Sequence, residues 1–128
     1  MEITTQEYKN SELITIKGRV DTVVASQLTE ALAEAHQRGR YRIVVDMSQV
    51  EYMSSAGFRA LGDAQRNSKR HPHGEVVLTQ VPNLIHEALE LVGFTEYFRI
   101  VNPLSAALAY AEDLPASDSV VGDQPSPA

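Results

Sequence analysis

The sequence predicts an α/β fold, a single domain in which a mixed β-sheet packs against about four α-helices. Two strand-like segments open the chain, residues 3–9 and 12–20, and the two residues between them are typical of a hairpin turn. From residue 21 onward, helical and strand-like patterns alternate, which is typical of strands joined by helical crossovers. The hairpin strands should pair antiparallel and the crossover strands parallel, so we expect both pairings in one sheet.

The first crossover begins directly after the hairpin. A helix is predicted from Asp21 or Thr22, either of which can cap it, to about Arg38, because its apolar residues recur at helical spacing. The run RIVVDM, residues 42–47, is almost continuously apolar, as in a strand buried on both faces. A short connection over residues 48–53 then leads to the next helix.

The second half of the chain continues the alternation, with Gly and Pro residues separating the patterned segments. The predicted elements are a helix over residues 55–68, a strand over 75–79, a helix opened by Pro82 and Asn83 and ended by Gly93, a short strand over 98–101, and a final helix that Asn102 and Pro103 cap and open.

Composition sets the limits of the domain and the classes of partner. We expect residues 1–113 to form the domain and residues 114–128 a disordered acidic tail, because the last segment contains prolines and little apolar surface to bury. The net charge of −6, with mixed signs in the body of the chain, argues against a nucleic-acid partner. The absence of cysteine excludes disulfides and cysteine-ligated metals, and we predict neither a metal nor a cofactor.

The sequence also bears on location. No stretch is apolar over the ~20 residues that a membrane span needs. The first residues show no basic region followed by an apolar run, which a secretory signal would have. We therefore expect a cytoplasmic protein without membrane contacts.

The stretch MSSAG, residues 53–57, places two serines where a strand-like pattern gives way to a helical one. The first interpretation is structural, because Ser54 or Ser55 can cap the helix by accepting a hydrogen bond from a free backbone amide. Gly57 is not explained in this way, since glycine costs roughly 1 kcal/mol relative to alanine inside a helix. A glycine in the first turn indicates close approach by another group.

The second interpretation is enzymatic, because a serine at a strand-to-helix turn is also found in hydrolase nucleophile elbows. The elbow requires G-x-S-x-G, and Met53 occupies the position of the first glycine. None of the four histidines is marked by its position as the base that Ser55 would need. The phosphate loop G-x-x-x-x-G-K of nucleotide-binding enzymes is also missing. We therefore do not predict an enzyme, and Ser55-dependent turnover of an ester would be needed to reopen that interpretation.

The third interpretation is modification. A phosphate on a serine adds about −1.5 to −2 charges at neutral pH, and a helix N-terminus favours anions. Phosphorylation at this corner should therefore preserve the helix while making a small, flat surface bulky and dianionic. A partner packed against Gly57 would be expelled.

Three segments together resemble a known family. They are GRVD, residues 18–21; IVVDMSQVEYMSSAGFRAL, residues 43–61; and LELVGFTEYFRIVNPLSAALA, residues 89–109. In order and spacing they resemble the STAS domain family and, within it, the bacterial anti-sigma factor antagonists. The resemblance extends from about Ile3 to Glu112 and implies the STAS-like arrangement of a mixed sheet with about four helices.

The resemblance implies a function. Such antagonists bind an anti-sigma factor that is also an ATP-dependent serine kinase, so that the kinase releases its sigma factor. The kinase inactivates the antagonist by phosphorylating one serine, which is Ser55 by its position in the motif, and a metal-dependent serine phosphatase reverses the reaction. The antagonist itself is a monomer without enzymatic activity. The implied partner-binding residues are Asp21, Ser54, Ser55, Ala56, Gly57 and Phe58.

The corner departs from the family pattern at two positions. Ser54 stands where most members have Asp, and Ala56 stands where most have Ser or Thr. Ser54 is therefore an alternative phosphorylation site. These departures also keep a second function open, that of a STAS module without phosphoregulation, which acts as a scaffold or as a subunit of a lipid-transport complex.

Overall fold

A computed structural model describes residues 1–113 of the chain, and the tail predicted for residues 114–128 lies outside the described residues. The elements follow one another as β1 (Glu2–Glu7), β2 (Glu12–Val20), α1 (Ala25–Gln37), β3 (Arg42–Met53), α2 (Ser55–Ser68), β4 (Glu75–Thr79), α3 (Asn83–Leu91), β5 (Arg99–Ile100) and α4 (Leu104–Glu112). The alternation of helices and strands read from the sequence is thus present.

The strands of this described part form one sheet in the order β1-β2-β3-β4-β5. β1 and β2 pair antiparallel, and every later neighbour pairs parallel, which confirms the mixed sheet predicted from the hairpin and the crossovers. β3 lies at the centre, and its first residues are buried on both faces, as its continuous apolar run predicts.

Helices cover both faces of the sheet. α1, α2 and α3 pack on one face through a core that includes Leu28, Leu61 and Leu89. α4 packs on the opposite face, where Ala107 and Ala111 join a smaller cluster with strand residues. The serine corner between β3 and α2 thus belongs to the face that carries three helices.

The predicted connection over residues 48–53 was wrong, because β3 continues through it to Met53. β2 extends equally far and supplies the pairing partner, so that Gly18 pairs with Val50 and Val20 with Met53. Two exposed residues precede each of the buried Val50 and Met53, so this part of β3 has neither a continuous apolar run nor the strict alternation by which a strand is recognised in sequence. The pairing shifts register after Gly18, whose φ of 93° lies in the region that favours glycine.

Two predicted helix caps were also wrong. α1 begins at Ala25, and the Asp21 carboxylate instead accepts a hydrogen bond of 3.0 Å from the Val24 amide in the turn before the helix. Asn102 does not cap α4, because its side-chain oxygen accepts a 2.8 Å hydrogen bond from the amide of Gln80, which follows β4. In both cases the polar side chain accepts a hydrogen bond from an amide outside the helix, in the adjacent turn for Asp21 and in the segment after β4 for Asn102.

Candidate functional site

The serine corner lies where two neighbouring strands end. β2 and β3 are parallel, Val20 pairs with Met53, and the Ser54 amide donates a 2.8 Å hydrogen bond to the Val20 carbonyl oxygen. The next residue after β2 is Asp21, so this carboxylate and the two serines are brought to one edge of the sheet. Binding sites of α/β folds commonly form outside the carboxyl ends of parallel strands.

The two serines have different roles and different exposure. Ser54 is the N-cap of α2, its Oγ accepts a 3.4 Å hydrogen bond from the Gly57 amide, and the residue is only 7% exposed. Ser55 is the first helical residue and is exposed to solvent. Because capping is performed by Ser54, the structural interpretation accounts for one serine and leaves the hydroxyl of Ser55 to be explained.

Gly57 is small because the protein's own core requires it. A Cβ atom at this position would lie 2.6 Å from Cγ of Met53 and 3.1 Å from Cγ1 of Val20. The close approach expected from the sequence is therefore present, but it comes from the ends of β2 and β3. A partner contact at Gly57 stays a prediction, and such a contact would be made by backbone atoms.

The other two predicted partner-binding residues lie largely inside the fold. Phe58 is 5% exposed and belongs to the core, and Ala56 is half-buried against that core. The exposed residues of the corner are thus Ser55 and Asp21, with part of Ala56 between the serine and the core.

A groove of about 410 Å³ extends from Ser55 along α2, between this helix and the segment that follows α3. Aromatic side chains, among them Phe58, Phe94 and Tyr97, supply much of its apolar lining. Gly62 allows Phe94 to approach, since a Cβ at Gly62 would lie 3.1 Å from the Phe94 ring. Sequence reasoning missed this groove, and the glycine in the interior of α2 was the signal that could have indicated it.

The rim of the groove carries charged side chains at helical spacing after Ser55. Arg59, Asp63 and Arg66 contribute to its lining. Arg66 forms an ion pair with Asp63 at 3.1 Å, whereas no side chain of residues 1–113 forms an ion pair or a hydrogen bond with Arg59. The position next to Ser55 on this rim therefore carries a cation that has no ion-pair partner among the described residues.

The histidines are arranged differently from a hydrolase site. Within the described residues the groove that contains Ser55 has no histidine in its lining. His36 does bond a serine, at 2.8 Å from Nε2 to Oγ of Ser68, at the far end of α2. Asn67 donates to Nδ1 of the same ring, so Nε2 carries the proton and cannot act as a base toward Ser68. Burial, together with the nearby His71, lowers the pKa of His36.

The described part of the chain contains neither a metal-binding cluster nor a membrane-spanning helix. Among residues 1–113, no three His, Cys, Asp or Glu side chains are grouped so that they could hold a metal ion. The helices in the same range are too short or too polar to cross a membrane.

Comparison with known proteins gives consistent results. BtrV of Bordetella bronchiseptica, a protein named as a candidate anti-sigma factor antagonist, is 30% identical over 109 residues, which cover 85% of this chain and 93% of BtrV. The anti-sigma-F factor antagonist RsfB of Mycobacterium tuberculosis is 24% identical over 106 residues, or 83% of this chain and 85% of RsfB.

A solved structure shares the fold at lower sequence identity. The anti-sigma factor antagonist SpoIIAA of Bacillus, in its unphosphorylated form, superposes with a TM-score of 0.72 at 13% identity, over 88% of this chain and all of SpoIIAA. Its phosphorylated form gives a TM-score of 0.68 at 14% identity, over 85% of this chain and 99% of SpoIIAA. Residues 3–102 match the family described as "Mlab, STAS domain". The chain therefore belongs to the STAS domain family.

Proposed function

We propose that this chain is a cytoplasmic anti-sigma factor antagonist that is switched by phosphorylation of Ser55. In its unphosphorylated form it binds an anti-sigma factor that is also an ATP-dependent serine kinase, and this binding frees the sigma factor. Phosphorylation by that kinase ends the binding, and a serine phosphatase restores it. The observation that carries the proposal is the exposure of Ser55 beside a buried Ser54 that already caps the helix.

The site gives each residue a role in this switch. Ser55 presents its hydroxyl to the kinase, and Ser54 keeps the first turn of α2 in place through its bond to the Gly57 amide. Asp21 and Ala56 contribute side chains to the surface that the partner covers, whereas Gly57 contributes backbone. Phe58 supports this surface from within the core.

A phosphate on Ser55 changes the surface without disrupting the fold. The first turn of a helix exposes backbone amides and favours negative charge, so α2 tolerates the modification. A dianionic group nevertheless occupies the edge where β2 and β3 end, and a partner packed there would have to desolvate it. Phosphorylation therefore lowers affinity for the partner and leaves the domain folded.

The comparisons support this proposal through the names of the relatives. Two curated relatives that cover most of this chain are named for anti-sigma factor antagonism, and SpoIIAA has been solved in unphosphorylated and phosphorylated forms with the same fold. The absence of a histidine beside Ser55 in the described groove favours a modified residue over a nucleophile.

A second candidate function is a STAS module that is not phosphorylated and acts as a scaffold or as a subunit of a lipid-transport complex. Ser54 in place of the usual Asp and the description of the matching family as "Mlab, STAS domain" favour it. The two candidates differ in one measurable respect, since charge at Ser55 should matter only for the first.

The test is calorimetric titration of each anti-sigma factor of the source organism, with ADP present to prevent phosphoryl transfer. We expect one of them to bind wild type and Ser55→Ala, and to bind Ser55→Asp at least about tenfold more weakly, a loss of about 1.4 kcal/mol. Ser105→Asp is the matched control, because Ser105 is exposed in the first turn of α4 on the opposite face of the sheet. Equal binding by Ser55→Asp, or no binding by any anti-sigma factor, would contradict the proposal.

A further inference from the structure

We propose that Arg59 holds the phosphate of phosphorylated Ser55 in an ion pair within α2, an inference that rests on the proposed modification of Ser55. Among residues 1–113 of the unmodified chain, Arg59 has no ion-pair or hydrogen-bond partner, and it lies one turn after the serine on the rim of the same groove. Phosphorylation would supply the missing anion. We refer to this pair of residues, Ser55 and Arg59, as the phosphate clasp.

The spacing along the helix suits such a pair. Ser55 and Arg59 are four residues apart in α2, both are exposed, and both contribute to the lining of the groove. Side chains at this spacing have Cβ atoms about 5–6 Å apart, and an anion that precedes the cation is the more favourable order. The planar guanidinium can donate two parallel hydrogen bonds to phosphate oxygens.

Other cations near the corner are less suited to this role. Arg66 already pairs with Asp63 at 3.1 Å, and eleven residues of helix place it about 16 Å from Ser55 along the axis. Arg19, at the end of β2, lies over the ring of Tyr52 at 4.6 Å. Within residues 1–113, Arg59 has neither an ion pair nor a hydrogen bond, so binding phosphate breaks no such interaction among these residues.

The clasp would give phosphorylation a second effect on the surface. Before modification, Arg59 presents a cation at the rim of an apolar groove, where an acidic side chain of a partner can pair with it. After modification, the guanidinium is engaged by the phosphate. The partner then meets a new anion at Ser55 and can no longer pair with the cation at Arg59. Both changes lower the affinity for a partner whose binding surface is acidic.

The test uses full-length protein carrying genetically encoded phosphoserine at position 55, so that no kinase is required. ³¹P NMR titration reports the second pKa of the phosphate, which is near 6 in the absence of a partner. We expect Arg59→Gln to raise this pKa by about 0.2–0.4 unit, because the arginine stabilises the dianion. Arg66→Gln removes the same charge from the same helix and should leave the pKa unchanged.

A thermal measurement provides a second readout. Arg59→Gln should lower the melting temperature of the phosphorylated protein more than that of the unphosphorylated protein, whereas Arg66→Gln should lower both equally. An unchanged phosphate pKa in Arg59→Gln, or an equal shift in Arg66→Gln, would overturn the clasp. Because the phosphate is installed during translation, this result is independent of whether any kinase recognises Ser55, so failure of the clasp and failure of the proposed function are distinguishable.

Discussion

Ser54 and Ser55 are adjacent and have the same side chain, but they differ in backbone conformation and in exposure. Ser54 has an extended backbone with φ −77° and ψ 169°, which directs its Oγ back toward the Gly57 amide. Ser55 already has helical geometry, and its side chain lies on the exposed side of the first turn. A cap and a modifiable hydroxyl can therefore coexist at one corner without sharing a residue.

This difference predicts the effect of removing each hydroxyl. Ser54→Ala should lower the free energy of unfolding by about 1 kcal/mol, because it removes a helix cap. Ser55→Ala should change it by less than about 0.5 kcal/mol, as for other exposed positions. Urea denaturation measures both, and a larger loss in Ser55→Ala than in Ser54→Ala would contradict the assignment of the cap.

Replacing Gly57 by alanine should have two opposing effects on stability. Alanine should be favoured in a helix by roughly 1 kcal/mol over glycine. Its Cβ would nevertheless meet Met53 at 2.6 Å and Val20 at 3.1 Å, so we expect Gly57→Ala to destabilise the protein by about 1–2 kcal/mol net.

The control for Gly57→Ala is the same substitution in a Met53→Ala background, where the nearest obstructing side chain is shortened. The penalty of Gly57→Ala should then be smaller, and the difference between the two backgrounds measures the steric coupling. An unchanged penalty would show that Met53 is not the cause.

At the scale of elements, α1 and α2 meet at His36. The ring accepts a hydrogen bond from Asn67, bonds Ser68 of the same helix, and lies 5.3 Å from the ring of Tyr41. Protonation would place a hydrogen on Nδ1 where Asn67 already donates. Burial, with a smaller contribution from His71, lowers the pKa of His36 below its ordinary value of 6.5, so the folded protein favours the neutral ring.

The lowered pKa of His36 determines how the stability of the folded protein changes with pH. The unfolded chain binds a proton at His36 at a higher pH than the folded chain, so the stabilisation is fully present above pH 6.5 and is lost as the pH falls through the folded pKa. Melting temperatures at pH 7 and pH 5 should differ more in wild type than in His36→Gln. An equal difference in wild type and His36→Gln would contradict this role of His36.

Helices and strands that have a clear local pattern could be predicted from the sequence, and those that depend on distant contacts could not. α2 and β4 were predicted with correct bounds, because a helical period and an apolar run identify them locally. The second half of β3 was not predicted, since its pairing with β2 is a contact between distant residues and its burial does not follow the alternation expected of a strand. The caps at Asp21 and Asn102 were wrong for a related reason, because an Asp or Asn near a helix can bond a loop amide instead.

The same limit applies to the candidate site. The position of Ser55 in the chain identified the corner, and helix geometry explains why one of the two serines is a cap. The sequence could not show that Ser55 is more exposed than Ser54, because the two residues are identical and adjacent. The groove and the availability of Arg59 depend on packing between α2 and the segment after α3, which are distant in sequence.

At the scale of the whole molecule, the sheet separates the corner from the surface that α4 covers. Ser55 and the groove lie on the face with three helices, and α4 packs on the other face. A charge added at Ser55 should therefore change the structure only near that residue. We expect Ser55→Asp to remain folded, because an anion in the first turn stabilises a helix by about 0.3–1 kcal/mol.

This locality is measurable by amide chemical-shift mapping. Chemical-shift differences between wild type and Ser55→Asp should be largest at the start of α2, at the end of β2 and around the groove. The chemical shifts of the α4 amides should be the same in both proteins. Large shifts in α4, or a lower melting temperature, would indicate that the charge disturbs the core rather than the surface.

Intact-mass spectrometry can determine whether Ser55 is the phosphate acceptor. Wild type, Ser54→Ala and Ser55→Ala would each be incubated with ATP and each anti-sigma serine kinase of the source organism. We expect one added phosphate in wild type and in Ser54→Ala, and none in Ser55→Ala. A phosphate that disappears only in Ser54→Ala, or no phosphate with any kinase, would contradict this expectation.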